Sequence, residues 1–528
     1  MNLSTLDIVI VAIYAVSLFA IALWVSREPE GHKKDTEDYF LAGRSLPWWA
    51  IGASLIASNI SAEQIIGQSG QGFAVGIAIA AYEWQAAIVL LVVAKWFLPI
   101  FLKRGIYTMP QYLDQRYGNG VKTLMSFYWI LLYTAVNLTT VLWLGGLAIT
   151  SLTGWPVLNS MIALALFASV YSLYGGLKAV AMTDIIQVVV LILGGLVITW
   201  LALNQVSGGN GAIAGFGRLY EEMPGHFEMI LSPDHKAYGD LPGIWTLLGG
   251  LWVLHFSYWG FNQYIIQRAL GAENLAEAQK GLAFGAFLKL LIPLIVVVPG
   301  IAAVVMASQG VLDGGALAEK SDNTYGELMG FAPSGLRGLV FAALIAAVVS
   351  SLASMMNSIS TIFTMDLYQQ AAPDRGEGHY VMVGRITALV AMILAVILAQ
   401  PFIGGFESGF QTVQEYSGFI APGVVVIFLF GFFWKRMNTP GAFAVLLGSV
   451  AFNILLKFAM PDIPFILRIW FVTLACFVAG VVVSLATANP MLQTAEGQKV
   501  ESFSTDSLFN ILSGLIVLVL IGAYIVLW

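Results

Sequence analysis

Long apolar runs separated by short polar connections cover the whole chain. A run that crosses a bilayer as a helix needs roughly 20 residues, and runs of that length recur about fourteen times. The pattern therefore predicts an all-α polytopic membrane protein with about 14 transmembrane helices. The centres of the runs lie near residues 16, 58, 85, 137, 165, 190, 255, 292, 350, 390, 420, 448, 477 and 517.

The connections between these runs are too short to hold a soluble domain, even the long one at about 204–242. No phosphate-binding loop of the GxxxxGK[ST] type occurs that would suggest ATP-driven pumping. We therefore predict a single membrane domain over residues 1–528. The first run has Asp7 near its start and no basic segment or cleavage site, so we expect a retained helix rather than a signal peptide.

Composition supports this class of protein. Of the 528 residues, 59% are hydrophobic and only 10% are charged, whereas a soluble domain has about 25% charged residues. The formal charge of −6 says little about partners beyond the lipid bilayer, and nothing indicates nucleic acid. The single cysteine, Cys476, lies in an apolar run, so a disulfide within the chain is impossible and a packing role is expected.

The positions of Lys and Arg predict the orientation, because cytoplasmic loops carry an excess of both. If the N-terminus lies outside, 17 of the 24 Lys and Arg residues fall on the inner side and six on the outer side. An even number of helices then places both termini outside, in a multi-pass protein of the cytoplasmic (inner) membrane. The inner set includes Arg27, Lys33, Lys34, Arg268 and Lys499, and the outer set includes Arg468.

Polar residues interrupt the second run, Pro47 to about Gly70, which has Ser58-Asn59-Ile60-Ser61-Ala62-Glu63-Gln64 at its centre. Lipid would penalise each polar group there, so these groups must face protein or a water-filled cavity. Ser and Asn alone would suit a helix-packing cluster, but a carboxylate beside an amide favours a solute path. Transporters hold a solute halfway across the membrane in this way.

Lys289 is a second exceptional residue, with several apolar helical residues on either side. Its charge is costly there unless it meets a polar cavity or a partner. One interpretation is a structural ion pair with Glu63 or Glu83. The other is that Lys289 donates hydrogen bonds to a bound polar solute.

Other runs carry polar centres of their own. Amides, carboxylates and hydroxyls together bond the hydroxyls of a neutral polyhydroxylated solute, while aromatic rings cover its apolar faces. Aromatic residues by themselves indicate packing, but here they adjoin buried donors and acceptors. The segments are Tyr82-Glu83-Trp84-Gln85, Asn137 to Thr140, Gly249 to Gln263, Val349 to Ser354, and Gln411 to Tyr416.

Five strings are long enough to indicate a family: Asp38 to Trp49, Ala57 to Gln64, Tyr174 to Gln187, Tyr258 to Arg268 and Ser350 to Ser358. They resemble the sodium:solute symporter family, and within it the bacterial sodium/galactose cotransporters related to the animal sodium/glucose cotransporters. The resemblance covers nearly the whole chain. It implies a LeuT-like arrangement, in which two inverted five-helix repeats place the substrate at the midplane.

By this resemblance the first repeat covers about 47–203 and the second about 243–434, with the second and seventh helices broken. The helices outside the repeats would be 6–26, 439–460, 466–488 and 507–528.

The resemblance implies a sodium site between the break in the second helix and the ninth helix. A hard cation binds neutral oxygens, and the C-terminus of a half-helix presents carbonyls with negative dipole. Asp184 would help sodium leave, although helix capping or pairing with Lys178 explains this carboxylate equally well. The implied ligands are the carbonyls of Ala57, Ile60 and Ala347 and the hydroxyls of Ser350 and Ser351.

The resemblance also implies the sugar site. Tyr258 would be the aromatic gate against the sugar ring, with Trp259 adjoining it. Two positions depart from the galactose transporters, which have Asn where this chain has His255 and Ser where it has Ala86, so the preferred epimer stays open. The hydrogen-bonding residues would be Gln64, Glu83, Lys289 and Gln414, with Asn59, Tyr82 and His255 nearby.

The sequence therefore predicts sodium-driven symport of a monosaccharide into the cell by a monomer or weak oligomer. Sodium would be the coupling ion, and no other cofactor is expected. One alternative is symport of another polar solute, such as an inositol or an amino acid. A sodium-permeable channel and a solute sensor fit less well, and no nucleophile–base pair or metal constellation indicates an enzyme.

Overall fold

The computed structural model describes residues 3–25, 36–404, 408–487 and 503–528. Within these ranges the chain is helical apart from its connections, and the sole β contact is an isolated bridge between Leu46 and Ala272. This agrees with the predicted all-α class.

The first half of the chain forms eleven helices. They are α1 (Thr5–Val25), α2 (Thr36–Leu41), α3 (Trp48–Asn59), α4 (Ser69–Ala74), α5 (Ala81–Val92), α6 (Leu98–Lys103), α7 (Met109–Tyr117), α8 (Asn119–Leu131), α9 (Thr139–Thr153), α10 (Val157–Val206) and α11 (Ala212–Glu222).

The second half continues with α12 (Ile244–Leu248), α13 (Gly250–His255), α14 (Gln263–Leu270), α15 (Leu275–Lys289), α16 (Ile292–Ser308), α17 (Gly314–Glu319), α18 (Thr324–Met329) and α19 (Leu336–Thr361). The remaining helices are α20 (Gln369–Ala371), α21 (Glu377–Ile403), α22 (Gly409–Ser417), α23 (Ala421–Phe433), α24 (Thr439–Ala459), α25 (Phe465–Ala486) and α26 (Ser507–Val526).

Short π-helical segments interrupt several of the spans, a feature that is frequent at functional sites. Two of them, Glu63–Gln68 and Phe256–Gly260, follow the polar centres of the second and seventh runs. The others are Val93–Phe97, Leu132–Leu138 and Ile362–Tyr368.

Ten segments of the described chain are long and apolar enough to cross a membrane, and the bent pair α22 and α23 makes an eleventh. The other predicted spans are the broken helices near residues 58 and 255 and a shorter apolar stretch, Val157–Val170. The predicted count of fourteen is therefore approximate. The proposed repeat boundaries stay a prediction.

One predicted boundary needs correction, because α10 continues from Val157 to Val206 as one helix of 50 residues. The sequence predicted two helices, centred near residues 165 and 190. No proline lies in this segment to end a helix. The helix accordingly continues between its two apolar parts, Val157–Val170 and Val180–Val206, where a connection was expected.

The predicted break in the second span is present at Ile60, which leaves the helix with φ −74° and ψ 87°. The Ser61 amide donates to the carbonyl of Asn59 at 2.9 Å instead of to that of Ala57, four residues earlier. The carbonyl of Ser58 accepts from the hydroxyl of Ser351 at 3.0 Å. The break thus directs the last carbonyls of α3, at the negative end of its dipole, toward α19.

The seventh span is interrupted at two places. Gly249, with φ −110° and ψ −137°, separates α12 from α13. Asn262 then adopts an extended conformation after the π-helical segment and caps α14, where its side-chain oxygen accepts from the Tyr264 amide at 3.2 Å. The predicted break in this span is therefore present as well.

Two helices of the broken spans, α3 and α14, are joined directly. The Leu46 amide donates to the Gly271 carbonyl at 3.0 Å, and the Arg268 guanidinium donates to the Ser54 hydroxyl at 2.7 Å. Glu277 of α15 accepts from the Trp48 amide at 2.8 Å and so caps the start of α3. These contacts fix the two helices next to each other.

Two basic residues that the orientation argument assigned to loops are buried side chains instead. Arg268 is 1% exposed because it pairs with Asp184 inside the helical bundle. Arg468 is also buried, and it donates to Glu415 at 2.5 Å. Arg27, Lys33, Lys34 and Lys499 lie outside the described residues.

Candidate functional site

All nine residues predicted to bind or gate a sugar line one cavity between the broken spans. The cavity has a volume of about 60 Å³. The structure therefore brings together side chains from α3, α5, α13, α15, α22 and the two π-helical segments. The nine residues are Asn59, Gln64, Tyr82, Glu83, His255, Tyr258, Trp259, Lys289 and Gln414.

Lys289 forms the ionic centre of this cavity. It ends α15, and its ammonium group pairs with Glu83 of α5 and donates to the side-chain oxygen of Asn59. The ammonium also lies 4.7 Å from the ring centroid of Trp259, a favourable cation–π distance. The ion pair with Glu83 that the sequence left open is thus present, and it forms part of the cavity wall.

The carboxylate of Glu83 is held from its other side as well. Gln68 donates its side-chain amide to the second Glu83 oxygen at 2.6 Å. Asn59 in turn donates to the hydroxyl of Tyr258 at 3.2 Å. A chain of hydrogen bonds therefore links the two broken spans across the cavity.

Tyr258 and Trp259 lie in the π-helical segment of the seventh span, with their rings edge to face and centroids 4.9 Å apart. The Tyr264 hydroxyl donates to that of Tyr258 at 2.6 Å. Trp259 is buried, whereas Tyr258 is partly exposed. Both rings line the cavity, and the role of Tyr258 as a gate stays a prediction.

His255 ends α13 and faces the ring of Tyr82, with ring centroids 6.2 Å apart. One ring nitrogen bonds the backbone of Ala81, and Nε2 has no partner among the described residues. The second position that departs from the galactose transporters, Ala86, is buried and does not line the cavity. Of the two departures, only His255 is thus placed to contact a ligand.

The two predicted glutamines differ in how firmly they are held. The Gln64 oxygen accepts from the amide and the hydroxyl of Ser61, at 3.1 and 3.2 Å. Gln414 is partly exposed on α22. The N-terminal end of α22 is fixed by Asp322, which accepts from the Gly409 amide at 3.1 Å, and burial raises the pKa of that carboxyl to about 6.

Fourteen further lining residues were not predicted as site residues, and Glu63, Gln68, Asn137 and Phe410 are among them. Glu63 and Asn137 belong to polar strings that the sequence analysis identified, so their burial inside apolar runs was the available signal. Gln68 lies one turn after Gln64, and that spacing would have placed both amides on one helical face. Phe410 packs on Tyr82 with ring centroids 5.0 Å apart, a contact that no local pattern indicates.

The residues implied for sodium lie at the contact between the end of α3 and α19. The Ser351 hydroxyl donates to the Ser58 carbonyl, and the Ser350 hydroxyl donates to Asp184. Ala57 and Ile60 flank the break, and Ala347 lies one turn before Ser351 on α19. These residues are neighbours in the fold, and their role as ligands stays a prediction.

Asp184 has a different partner from the predicted Lys178, whose side chain is exposed. One Asp184 oxygen accepts from Ser54 at 2.6 Å and lies 3.6 Å from the Arg268 guanidinium. Asp184 is therefore surrounded by serine hydroxyls and a guanidinium, which favours an ion pair over a helix cap. Arg268 comes from α14, far along the chain from Asp184, and no sequence periodicity joins the two residues.

Comparison with known proteins identifies the family. The family model described as "Sodium:solute symporter family" matches residues 39–448. A sodium/glucose cotransporter of Vibrio parahaemolyticus is 49% identical over 539 residues, which cover 100% of this chain and 99% of the relative. A sodium/myo-inositol cotransporter 2 of Mus musculus is 32% identical, with 86% of this chain and 71% of the relative covered.

Among solved structures, the outward-open state of a Na⁺-coupled sialic acid symporter superposes with a TM-score of 0.80 at 21% identity, covering 92% of this chain and 98% of that one. MhsT in complex with L-phenylalanine gives a TM-score of 0.51. These likenesses show a LeuT-like fold. With the family match over most of its length, the chain belongs to the sodium:solute symporter family.

Proposed function

We propose that this protein carries a monosaccharide of the glucose or galactose type into the cell, driven by sodium, across the cytoplasmic membrane. The observation that carries the proposal is the buried Lys289–Glu83 pair in the wall of a cavity lined by amides and aromatic rings. The relatives named sodium/glucose cotransporters support the same class of substrate.

Sugar binding requires the cavity to change. Its volume of about 60 Å³ is below the roughly 300 Å³ at the lower end of ligand pockets. The sugar hydroxyls would replace the bonds of Lys289 to Asn59 and part of those to Glu83, which keeps both charges satisfied. Tyr258 would then cover an apolar face of the sugar ring.

Sodium would bind where the end of α3 meets α19. Its ligands would be the carbonyls of Ala57, Ile60 and Ala347 and the hydroxyls of Ser350 and Ser351. A cation there would replace the hydrogen bond between Ser351 and Ser58 and hold the two helices together. That contact fixes the inner half of the broken span and leaves the cavity open to the outside.

The transport cycle follows from this arrangement. Sodium and sugar bind from outside, the outer helices close over the cavity, and α3 and α14 then separate on the inner side. Loss of sodium to the cytoplasm, by way of Asp184, weakens the cavity and releases the sugar. Membrane potential contributes about 2.3 kcal/mol per charge per 100 mV to this direction of transport.

Inositol is a second candidate substrate, because a relative with 32% identity is named a sodium/myo-inositol cotransporter. An inositol offers the same ring of hydroxyls and lacks the ring oxygen of a sugar. The acceptor-rich cavity suits both solutes, so direct competition decides between them.

The test is uptake by proteoliposomes containing the purified protein, with labelled glucose, galactose, other epimers and myo-inositol. An inward sodium gradient should drive accumulation of at least one monosaccharide, and an equal potassium gradient should not. Accumulation of inositol alone would replace the monosaccharide proposal. Flux that does not saturate with solute would point to a channel and contradict symport.

A further inference from the structure

Gln68 occupies a position in the cavity that the Lys289–Glu83 pair alone does not explain. It ends the π-helical segment Glu63–Gln68 and is 1% exposed. Its amide nitrogen donates to Glu83 at 2.6 Å. Its amide oxygen has no hydrogen-bond partner among the described residues, although the side chain borders the cavity.

The same cavity wall holds other buried polar atoms without a partner among the described residues. An unpaired buried polar atom is unfavourable, so native proteins keep such atoms chiefly where a ligand or water completes them. Two of them, Glu63 Oε1 and Asn137 Oδ1, are carboxylate and amide oxygens that accept hydrogen bonds, and they favour a ligand that carries hydroxyl donors. The atoms are Glu63 Oε1, Asn137 Oδ1, Tyr82 Oη and His255 Nε2.

Gln68 also lies at the outer limit of this cavity. Gln71, three residues further along, lines a separate outer cavity and accepts from Gln411 at 3.2 Å. Gln64, four residues earlier, lines the inner cavity together with Gln68. Along the chain, Gln68 is thus the last residue of this span whose side-chain amide lines the cavity around Lys289.

We propose that Gln68 is a specificity-determining residue that contacts the sugar directly. Its nitrogen holds the Glu83 carboxylate in place, while its oxygen accepts a hydrogen bond from one sugar hydroxyl. This inference rests on the proposed function, since it assigns a contact within the same site. A site built to bond one hydroxyl rejects an analogue that lacks it, because the acceptor is left unpaired.

The experiment is a competition assay in proteoliposomes, with the labelled transported sugar and a set of its single-deoxy derivatives. Wild-type protein should bind the derivative that lacks the Gln68-facing hydroxyl at least tenfold more weakly than the parent sugar. In Gln68→Met, which keeps the side-chain length but has no polar atoms, that one penalty should fall to about twofold or less. Penalties at the other hydroxyls should remain.

Gln71→Met is the matched control. It removes a side-chain amide from the same span, about one turn after Gln68 and outside this cavity. It should leave the wild-type pattern of penalties in place. If Gln68→Met does not insert, Gln68→Leu removes the same polar atoms and replaces it.

Two results would overturn the inference in distinguishable ways. If every penalty in Gln68→Met matches that of wild type, or all change by one common factor, Gln68 acts only through Glu83 and contacts no hydroxyl. If wild-type protein accumulates none of the sugars, the proposed function fails and this contact falls with it.

Discussion

Two buried ion pairs of the described chain, Lys289–Glu83 and Arg268–Asp184, differ in what surrounds them. All four side chains of the two pairs are nearly inaccessible to solvent. The first pair borders a cavity, whereas the second lies in the packed contact between α3, α10, α14 and α19. The two pairs are therefore equally buried, but one borders a cavity and the other is enclosed by packed helices.

The second pair is surrounded by hydrogen bonds. Arg268 donates to the Ser54 and Ser354 hydroxyls, both at 2.7 Å, and to the Tyr264 carbonyl. Asp184 accepts from Ser54 and Ser350. A network that satisfies both charges in this way fixes helices relative to one another.

The first pair has fewer fixed partners. Among the described residues, Lys289 donates to Glu83 and Asn59 alone. The cavity around it contains unpaired oxygens of Glu63, Gln68 and Asn137. The comparison suggests a criterion for the proposed solute site: incomplete hydrogen bonding beside a buried pair, more than the pair itself, distinguishes this cavity.

The largest expected effect comes from breaking the satisfied pair. Arg268→Met should destabilise the folded protein by about 3–5 kcal/mol, because it leaves the Asp184 carboxylate buried without its partner. Thermal unfolding of the purified protein in detergent measures this. The double variant Arg268→Met/Asp184→Asn should recover much of the loss, and a single variant as stable as wild type would contradict the structural role.

Ser351 tests the boundary between the two regions, since it lies next to the Arg268–Asp184 network. Ser351→Ala should abolish sodium-driven uptake while the protein still inserts, because it removes one proposed sodium ligand and little packing. Sodium titration of uptake provides the measurement. Unchanged uptake with unchanged sodium affinity would reject the site at α3 and α19.

Lys289→Ala and Gln414→Ala should each weaken sugar uptake by roughly tenfold or more, since a lost partner costs about 1–3 kcal/mol per buried group left unpaired. Both proteins should remain folded, because the cavity lets water reach the groups that lose a partner. The half-saturating sugar concentration measures the effect. Wild-type affinity in both variants would place the solute elsewhere.

The smallest effect is expected at His255, whose Nε2 faces the cavity without a described partner. His255→Asn should change the ranking of glucose, galactose and related epimers by a few-fold rather than abolish transport, because an amide reaches a different hydroxyl. Competition with unlabelled sugars gives the ranking. An identical ranking in both proteins would mean that His255 serves only its backbone bond to Ala81.

The sequence was sufficient to predict the all-α membrane class, the two broken spans and nine of the residues that line the cavity. Polar side chains inside apolar runs are unusual enough that Glu83, His255 and Lys289 could be recognised without a structure. The assignment of Arg268 to a loop was wrong. Its polar partners come from α3, α10 and α19, so the residues next to it in the sequence do not show that it is buried. The continuity of α10 was equally hidden, since hydropathy does not distinguish one long helix from two joined ones.

The most direct test of the account is the mutual effect of sodium and sugar on binding to the purified protein. Equilibrium titrations should show that sodium tightens sugar binding and that sugar tightens sodium binding by the same factor, as linkage requires. In Lys289→Ala, sodium should still bind while its tightening by sugar disappears. Sugar binding of equal affinity in sodium and in potassium would contradict coupling between the cavity at Lys289 and the site at α3 and α19.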